Sequence, residues 1–199
     1  SEITAIGRTM AALPLSPALG RMVIEAQRMG CLDEIVSIAA CLSADRDPFV
    51  LPPPTADGVN LDKARKAVNE LRKQFSDKNS DFIVLLNVFR EYAKRPWRER
   101  ETWCRRNYLS IRTLEEIVAI RRDLVDALRD FARSDDDNDE NRATPRGPDA
   151  PRSPRRLSSS ADYDTINRCV LAGHVQNVCV AAGKYDYLAV GKHSVYLHP

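Results

Sequence analysis

Apolar residues recur every three or four positions through residues 16–133, and no other feature restricts the fold so tightly. Ser16-Pro17 reads as a helix start: a hydroxyl cap, then proline where a missing N–H costs nothing. Leu19, Met22, Val23, Ala26 and Met29 follow at helical spacing, and Gly30 is the stop. The next segment, LDEIVSIAACLS, is apolar almost all round and predicts a buried helix to about Ser43, followed at once by the polar loop ADRDPFV. LPPPTADG (51–58) is a break, because its prolines lack donors. Asn60 is expected to cap a helix with Leu61, Ala64, Val68, Leu71 and Phe75 inward. Asn79-Ser80 opens another, with Phe82, Val84, Leu85, Val88, Phe89 and Tyr92 on its inner face. A short helix carries Trp103, Cys104 and Tyr108. The longest is expected from a Thr113/Glu116 capping box to about Arg133. Helices with short connections describe a bundle.

The rhythm stops at residues 134–161, which hold an acidic block, an arginine-rich block and no apolar period. Such a segment cannot bury enough surface to offset its ordering entropy, so it reads as a flexible charged linker. After it the period changes. Tyr163–Cys169 reads as one helix, and VQNVCVAA, YDYLAVG and HSVYLHP read as strands, with a hairpin turn at Gly191-Lys192. The expected fold is therefore mainly α, a helical bundle followed by a partial antiparallel β unit.

The chain has 199 residues and a formal net charge of only +2, so bulk charge does not mark it as a nucleic-acid binder. It has no run approaching a membrane span and no basic leader before an apolar stretch. It lacks an initiator Met and starts mid-pattern, as a fragment would. Five cysteines without CxxC spacing predict a reducing, intracellular setting without disulfides. Gly183-Lys184 and Gly191-Lys192 are isolated and make no phosphate loop, and GxSxG and HExxH are missing. A zinc site can be drawn from Cys169, His174 and Cys179, but it lacks a fourth ligand. Packing cysteines and a turn histidine are the simpler reading.

Two stretches pose a choice. Arg121 projects into the apolar stripe of Leu114, Ile117, Val118, Leu124, Val125, Leu128 and Phe131. A buried guanidinium needs a partner: a carboxylate from a neighbouring helix in the structural reading, an anion in a channel in the functional one. Arg122 and Arg129 flank the stripe as solvated charges. The basic run Lys94–Arg100 embeds Trp97, which as Pro96-Trp97 reads as a staple closing the bundle, with base stacking as the alternative.

Taken in order, ITAIGRTMAALPLSPALGRMVIEAQRMGC, LDEIVSIAACLSADRDPFV, SDFIVLLNVFREYAK, WCRRNYLSIRTLEEIVAIRRDL and VLAGHVQNVCVAAGKYDYLAVGKHSVYLHP resemble the C-terminal accessory region of DEAH-box RNA helicases. The resemblance implies the end of a winged-helix domain at 1–15, a helical ratchet or helicase-associated domain at 16–133, the linker at 134–161 and the start of an OB-fold at 162–199. It implies that DRDPFV is the turn where the chain leaves the core toward the ATPase domains. It makes Arg121, in AIRRDL, a candidate RNA contact together with Arg112 and Arg122. Ser80 and Asp81 match a Gly/Ser-Asp-His-Leu-Thr motif, from which Phe82 and Val84 depart. Lys184, Lys192 and His193 match basic loop positions of the barrel. The long linker is a further departure.

The implied function is an accessory module that closes an RNA channel and couples ATP-driven translocation to unwinding or RNP remodelling. ATP and Mg would belong to ATPase domains outside this chain, which carries no catalytic motif of its own. The implied partners are single-stranded RNA, those ATPase domains and an activator protein, with no membrane; nucleus and cytoplasm both stay open. The alternative is a protein-docking scaffold that recruits activators or RNP partners.

Overall fold

The computed structural model describes residues 7, 10, 11, 13–51, 61–75, 80–140, 159, 162–183, 186–189 and 194–196; at 61, 62, 134–140 and 196 it describes the backbone alone. Among these residues the chain is seven helices and a small sheet. The helices are α1 (Pro17–Met29), α2 (Leu32–Ser43), α3 (Leu61–Gln74), α4 (Asp81–Lys94), α5 (Trp97–Arg106), α6 (Ile111–Glu140) and α7 (Tyr163–Gly173). A 3₁₀ turn (Val175–Asn177) leads to β1 (Cys179–Ala181), β2 (Asp186–Ala189) and β3 (Ser194–Tyr196). The mainly α architecture with a C-terminal antiparallel sheet is as expected. Most of 1–12, the LPPPTADG break after Leu51, the caps Asn60 and Asn79, the 190–193 turn and all of 141–161 except Ser159 lie outside the described residues.

The helix punctuation works as the sequence predicts at α1. Ser16 accepts the Leu19 amide (3.5 Å), Pro17 opens the helix, and Gly30 ends it at φ 74°, a conformation that strains any Cβ. The long helix differs. It begins at Ile111, two residues before the expected capping box, because Ser110 supplies the cap: its hydroxyl accepts both the Thr113 amide (3.2 Å) and the Thr113 hydroxyl (2.9 Å). Glu116 instead accepts the Asp45 amide (3.2 Å). At its other end α6 runs to Glu140, seven residues into the segment predicted to be linker. Extending an existing helix is far cheaper than nucleating one, so a weak apolar pattern does not stop it.

α2 is the hub. It packs against α1, α4 and α6 and touches α7, which is why its apolar surface goes all round. Leu32, Ile35, Val36, Ile38, Ala39, Ala40 and Cys41 are buried. α4 contributes Ile83, Val84, Leu86, Val88, Phe89 and Tyr92, with Phe82 and Leu85 only partly covered. α6 contributes Leu114, Ile117, Leu124, Val125, Leu128 and Ala132, while Val118 faces out. α3 is the loosest element, with Val68 its buried side chain among those described.

α7, which follows residue 162, packs on the bundle. α7 makes the most extensive helix pairing of the fold, with α1, and its Ile166, Cys169 and Val170 join the bundle core. A Cβ on Gly173 would sit 2.4 Å from the Ala18 carbonyl oxygen, so the two helices approach backbone to backbone there. The bundle thus includes residues 163–173, and the β unit starts after them. Linker composition hid this, because α7's partner lies far upstream. In the sheet, Cys179, Val180 and Ala181 pair with Ala189, Leu188 and Tyr187, and Asp186, Tyr187 and Leu188 pair with Tyr196, Val195 and Ser194.

The Asp-Pro-Phe loop is tied down. Asp47 accepts the Phe49 amide (2.8 Å) and pairs with Arg72, whose guanidinium lies 4.6 Å over the Phe49 ring. The Val50 amide donates to the Tyr108 carbonyl and the Ser110 amide to the Pro48 carbonyl, both 2.8 Å. Tyr108 adopts φ 51° to make this junction. All five thiols are free. Cys31 and Cys169 lie 3.4 Å apart in the core, where the Cys169 thiol's hydrogen bond lowers the pKa of Cys31 and raises its own.

Candidate nucleic-acid interface

The predicted contact residues separate into three places. Arg121 turns toward α2. Its Nη2 lies 2.5 Å from Asp33 Oδ1, its Nε donates to Ser37 Oγ (2.9 Å), and its Cζ is 5.8 Å from the Phe89 ring. Ser37 in turn donates to the Asp33 carbonyl (2.8 Å). Side-chain exposures of 23% for Arg121 and 34% for Asp33 place the pair at the edge of the core. This is the structural salt bridge that the sequence left open, and RNA would have to compete with Asp33 for the guanidinium.

Arg112 stands nine residues earlier on α6, about 180° round the helix at 100° per residue, so it cannot share a face with Arg121. It is exposed and lines a shallow pocket of about 200 Å³ with Asp45, Arg46, Ser110, Thr113 and Glu116. Arg122 is exposed and loosely paired with Asp123 (3.6 Å). Ser80 faces inward along a different path: its hydroxyl donates to Asn167 Oδ1 (3.1 Å), tying the start of α4 to α7. Asp81 is exposed in the first turn of α4. Lys184, Lys192 and His193 lie outside the described residues.

The zinc alternative does not assemble. Cys169 is in the core, Cys179 is exposed on β1, and His174 ends α7 with Nδ1 3.1 Å from the Val170 carbonyl. Among the described residues no cluster of three or more His, Cys, Asp or Glu is placed to hold a metal.

The staple reading of Pro96-Trp97 is overturned. Trp97 is 76% exposed. The aromatic that closes the bundle is Trp103, packed edge-on to Phe75 (6.3 Å), against Tyr92 (6.5 Å) and under Arg95 (4.9 Å). Two polar anchors were also missed on α2: Asp33 with Ser37, and buried Glu34, which pairs with Arg90 (2.6 Å) and accepts the Ser159 hydroxyl (2.6 Å). Their signal was present, since Asp33 and Ser37 are spaced i,i+4 on one side of an otherwise apolar helix.

A hub helix packed by several partners, a long helix and a pinned Asp-Pro-Phe loop accompany a direct match: residues 16–85 match the helicase associated domain (HA2), ratchet-like. Over those residues the chain is similar to that ratchet-like domain. Curated proteins similar to it bear the name of ATP-dependent RNA helicases, and the chain spans a quarter or less of their length. It is 28% identical over 200 residues to ATP-dependent RNA helicase DHX33 of Drosophila melanogaster, covering all of this chain and 24% of that protein. DHX57 of Mus musculus, which carries the name of an ATP-dependent RNA helicase, is 32% identical over 133 residues, 65% of this chain and 9% of that protein. DHX57 of Homo sapiens is 32% identical over 137 residues, again 9% of its length. Among the described residues, no helix is long and apolar enough to cross a membrane.

Proposed function

We propose that this chain is the accessory module of a DEAH-box RNA helicase that lies against single-stranded RNA and helps close the channel through which ATPase domains outside this chain drive it. The observation that carries this reading is the helicase-associated match over 16–85 within a helical bundle. The residues fit no ATP or Mg site, for no glycine-rich phosphate loop is present, so the chain's own part is positioning. Arg46 and Arg112 supply exposed cations at the head of α6, without a carboxylate within ion-pair distance among the described residues. Arg121 holds α2 against α6 and so fixes the wall on which such contacts sit. On this reading the three-stranded sheet opens the OB-fold, and the setting is intracellular.

The test is RNA binding by the 199-residue chain across salt concentrations. Affinity should be micromolar or weaker and fall steeply with salt, by a log–log slope of about 0.7 per phosphate contact on a single strand. Replacing Arg46 and Arg112 together should flatten that slope by about 1.4. No binding, or binding indifferent to salt, sinks the reading, and ATP turnover by this chain would contradict it. Salt-indifferent capture of a protein would favour the docking alternative. A groove of about 370 Å³ under α3, with Phe49, exposed Val50 and Leu51, and Val68 on its walls, supports that second reading.

A further inference from the structure

Among the described residues, Trp97 is a large aromatic ring left mostly exposed. Trp97 opens α5 with three quarters of its surface in water, and the Arg98 guanidinium lies 5.6 Å from its ring centroid. The bundle's own aromatic need is met by Trp103, six residues on, so Trp97 is not held out there as surplus packing.

Its surroundings are cationic. Lys94, Arg95, Arg98, Arg100, Arg105 and Arg106 against Glu99 and Glu101 give residues 94–106 a formal +4, more than the +2 of the whole chain. Some of these charges are spoken for. Lys94 and Arg95 reach back to Glu91 (3.2 and 3.6 Å), Arg105 meets Glu101 (2.9 Å), and Arg100 stacks on Tyr92 (4.6 Å). Arg98 and Arg106 have no ion-pair partner among the described residues. The Arg105–Glu101 pair is exposed and cheap to break. At helical spacing Trp97, Glu101, Arg105 and Arg98 share one side of α5.

We propose that Trp97, with Arg98 and Arg105 beside it, is a stacking platform for unpaired bases of a single-stranded RNA. The ring offers an open π-face to a base, and the arginines on its side offer donors to the flanking phosphates. Charge complementarity selects a polyanion over an apolar protein surface. The proposal rests on the RNA-binding reading above, and adds a contact on a helix outside the residues 16–85 matched to the helicase-associated domain.

The experiment measures anisotropy of a short fluorescein-labelled oligouridylate with the 199-residue chain, and competes it with the same backbone made abasic. Wild type should prefer the based strand. Trp97→Ala should weaken binding of the based strand about tenfold and leave the abasic strand unchanged, erasing the preference, while Trp97→Phe keeps most of it. Thermal melts of both variants should match wild type; a large drop in Trp97→Ala would show a packing role and overturn the proposal. If wild type binds RNA but Trp97→Ala binds equally well, the platform is refuted, the ring falls to a protein partner, and the broader reading survives. If wild type binds no RNA, both fall together.

Discussion

Arg121 on α6 and Asp33 on α2 form an ion pair 2.5 Å long, and Ser37, one turn beyond Asp33, accepts a second hydrogen bond from the same guanidinium. Three polar groups thereby lock the two most central helices in register. A pair at the edge of the core, braced by a third group, is worth more than one in open water. Arg121→Ala should destabilise the bundle by about 2 kcal/mol. With Asp33→Asn the double variant should lose less than the two singles together, by about 1 kcal/mol. Urea unfolding checks this, and strictly additive losses would mean that the two side chains do not act together.

Glu34 is wholly buried beside Arg90. Removing the arginine takes the cation from a buried carboxylate, which costs about 3 kcal/mol or more. Arg90→Ala should therefore melt well below wild type, and adding Glu34→Gln should recover part of the loss. No recovery would show that charge is not the source of the damage.

Two glycines have separate physical reasons. Gly173→Ala drives a methyl against the Ala18 carbonyl oxygen and Met22 Cγ (2.6 Å), and should cost about 1–3 kcal/mol by forcing α7 off α1. Gly30→Ala meets open space but must hold φ 74°, costing about 1 kcal/mol. Equal melting temperatures for wild type and Gly173→Ala would contradict the close approach.

Burial pushes the Cys41 thiol from 9.0 up to about 12 and the Cys104 thiol up to about 11. Below pH 9 both thiols are protonated, folded or unfolded, and their contribution to stability is intact. Above it the unfolded chain ionises first, so stability falls until the folded thiols ionise too, at about 1.4 kcal/mol per pH unit per thiol. Stability measured from pH 8 to 11 should decline, and Cys41→Ala should decline less steeply. A variant that tracks wild type would show that Cys41 is not responsible.

Much of the fold was legible in local punctuation. Ser16-Pro17 and Gly30 bound α1 as expected, and the all-round apolar LDEIVSIAACLS became the hub. The errors arose where a partner distant in the chain decides the outcome. Trp97 and Trp103 sit in equally basic surroundings, and only Phe75 and Tyr92, brought in by other helices, determine that Trp103 is the one covered. Ser110 and Thr113 both suit a cap, and the loop bond from Ser110 to Pro48 sets the earlier start. Arg121 was legible as a residue needing a partner, yet naming Asp33 required the antiparallel packing of α2 on α6. Likewise nothing local in Tyr163–Gly173 points to α1 as its packing partner.

That closure by α7 bears on how the chain is made. Cys31 and Cys169 meet at a sequence separation of 138, so α1 leaves the ribosome long before the helix that covers it. At typical elongation rates the gap lasts on the order of ten seconds. Throughout it Met22 and its neighbours stay uncovered, open to chaperones or to mispairing with another nascent chain, and maturation of the bundle waits for translation to pass Gly173.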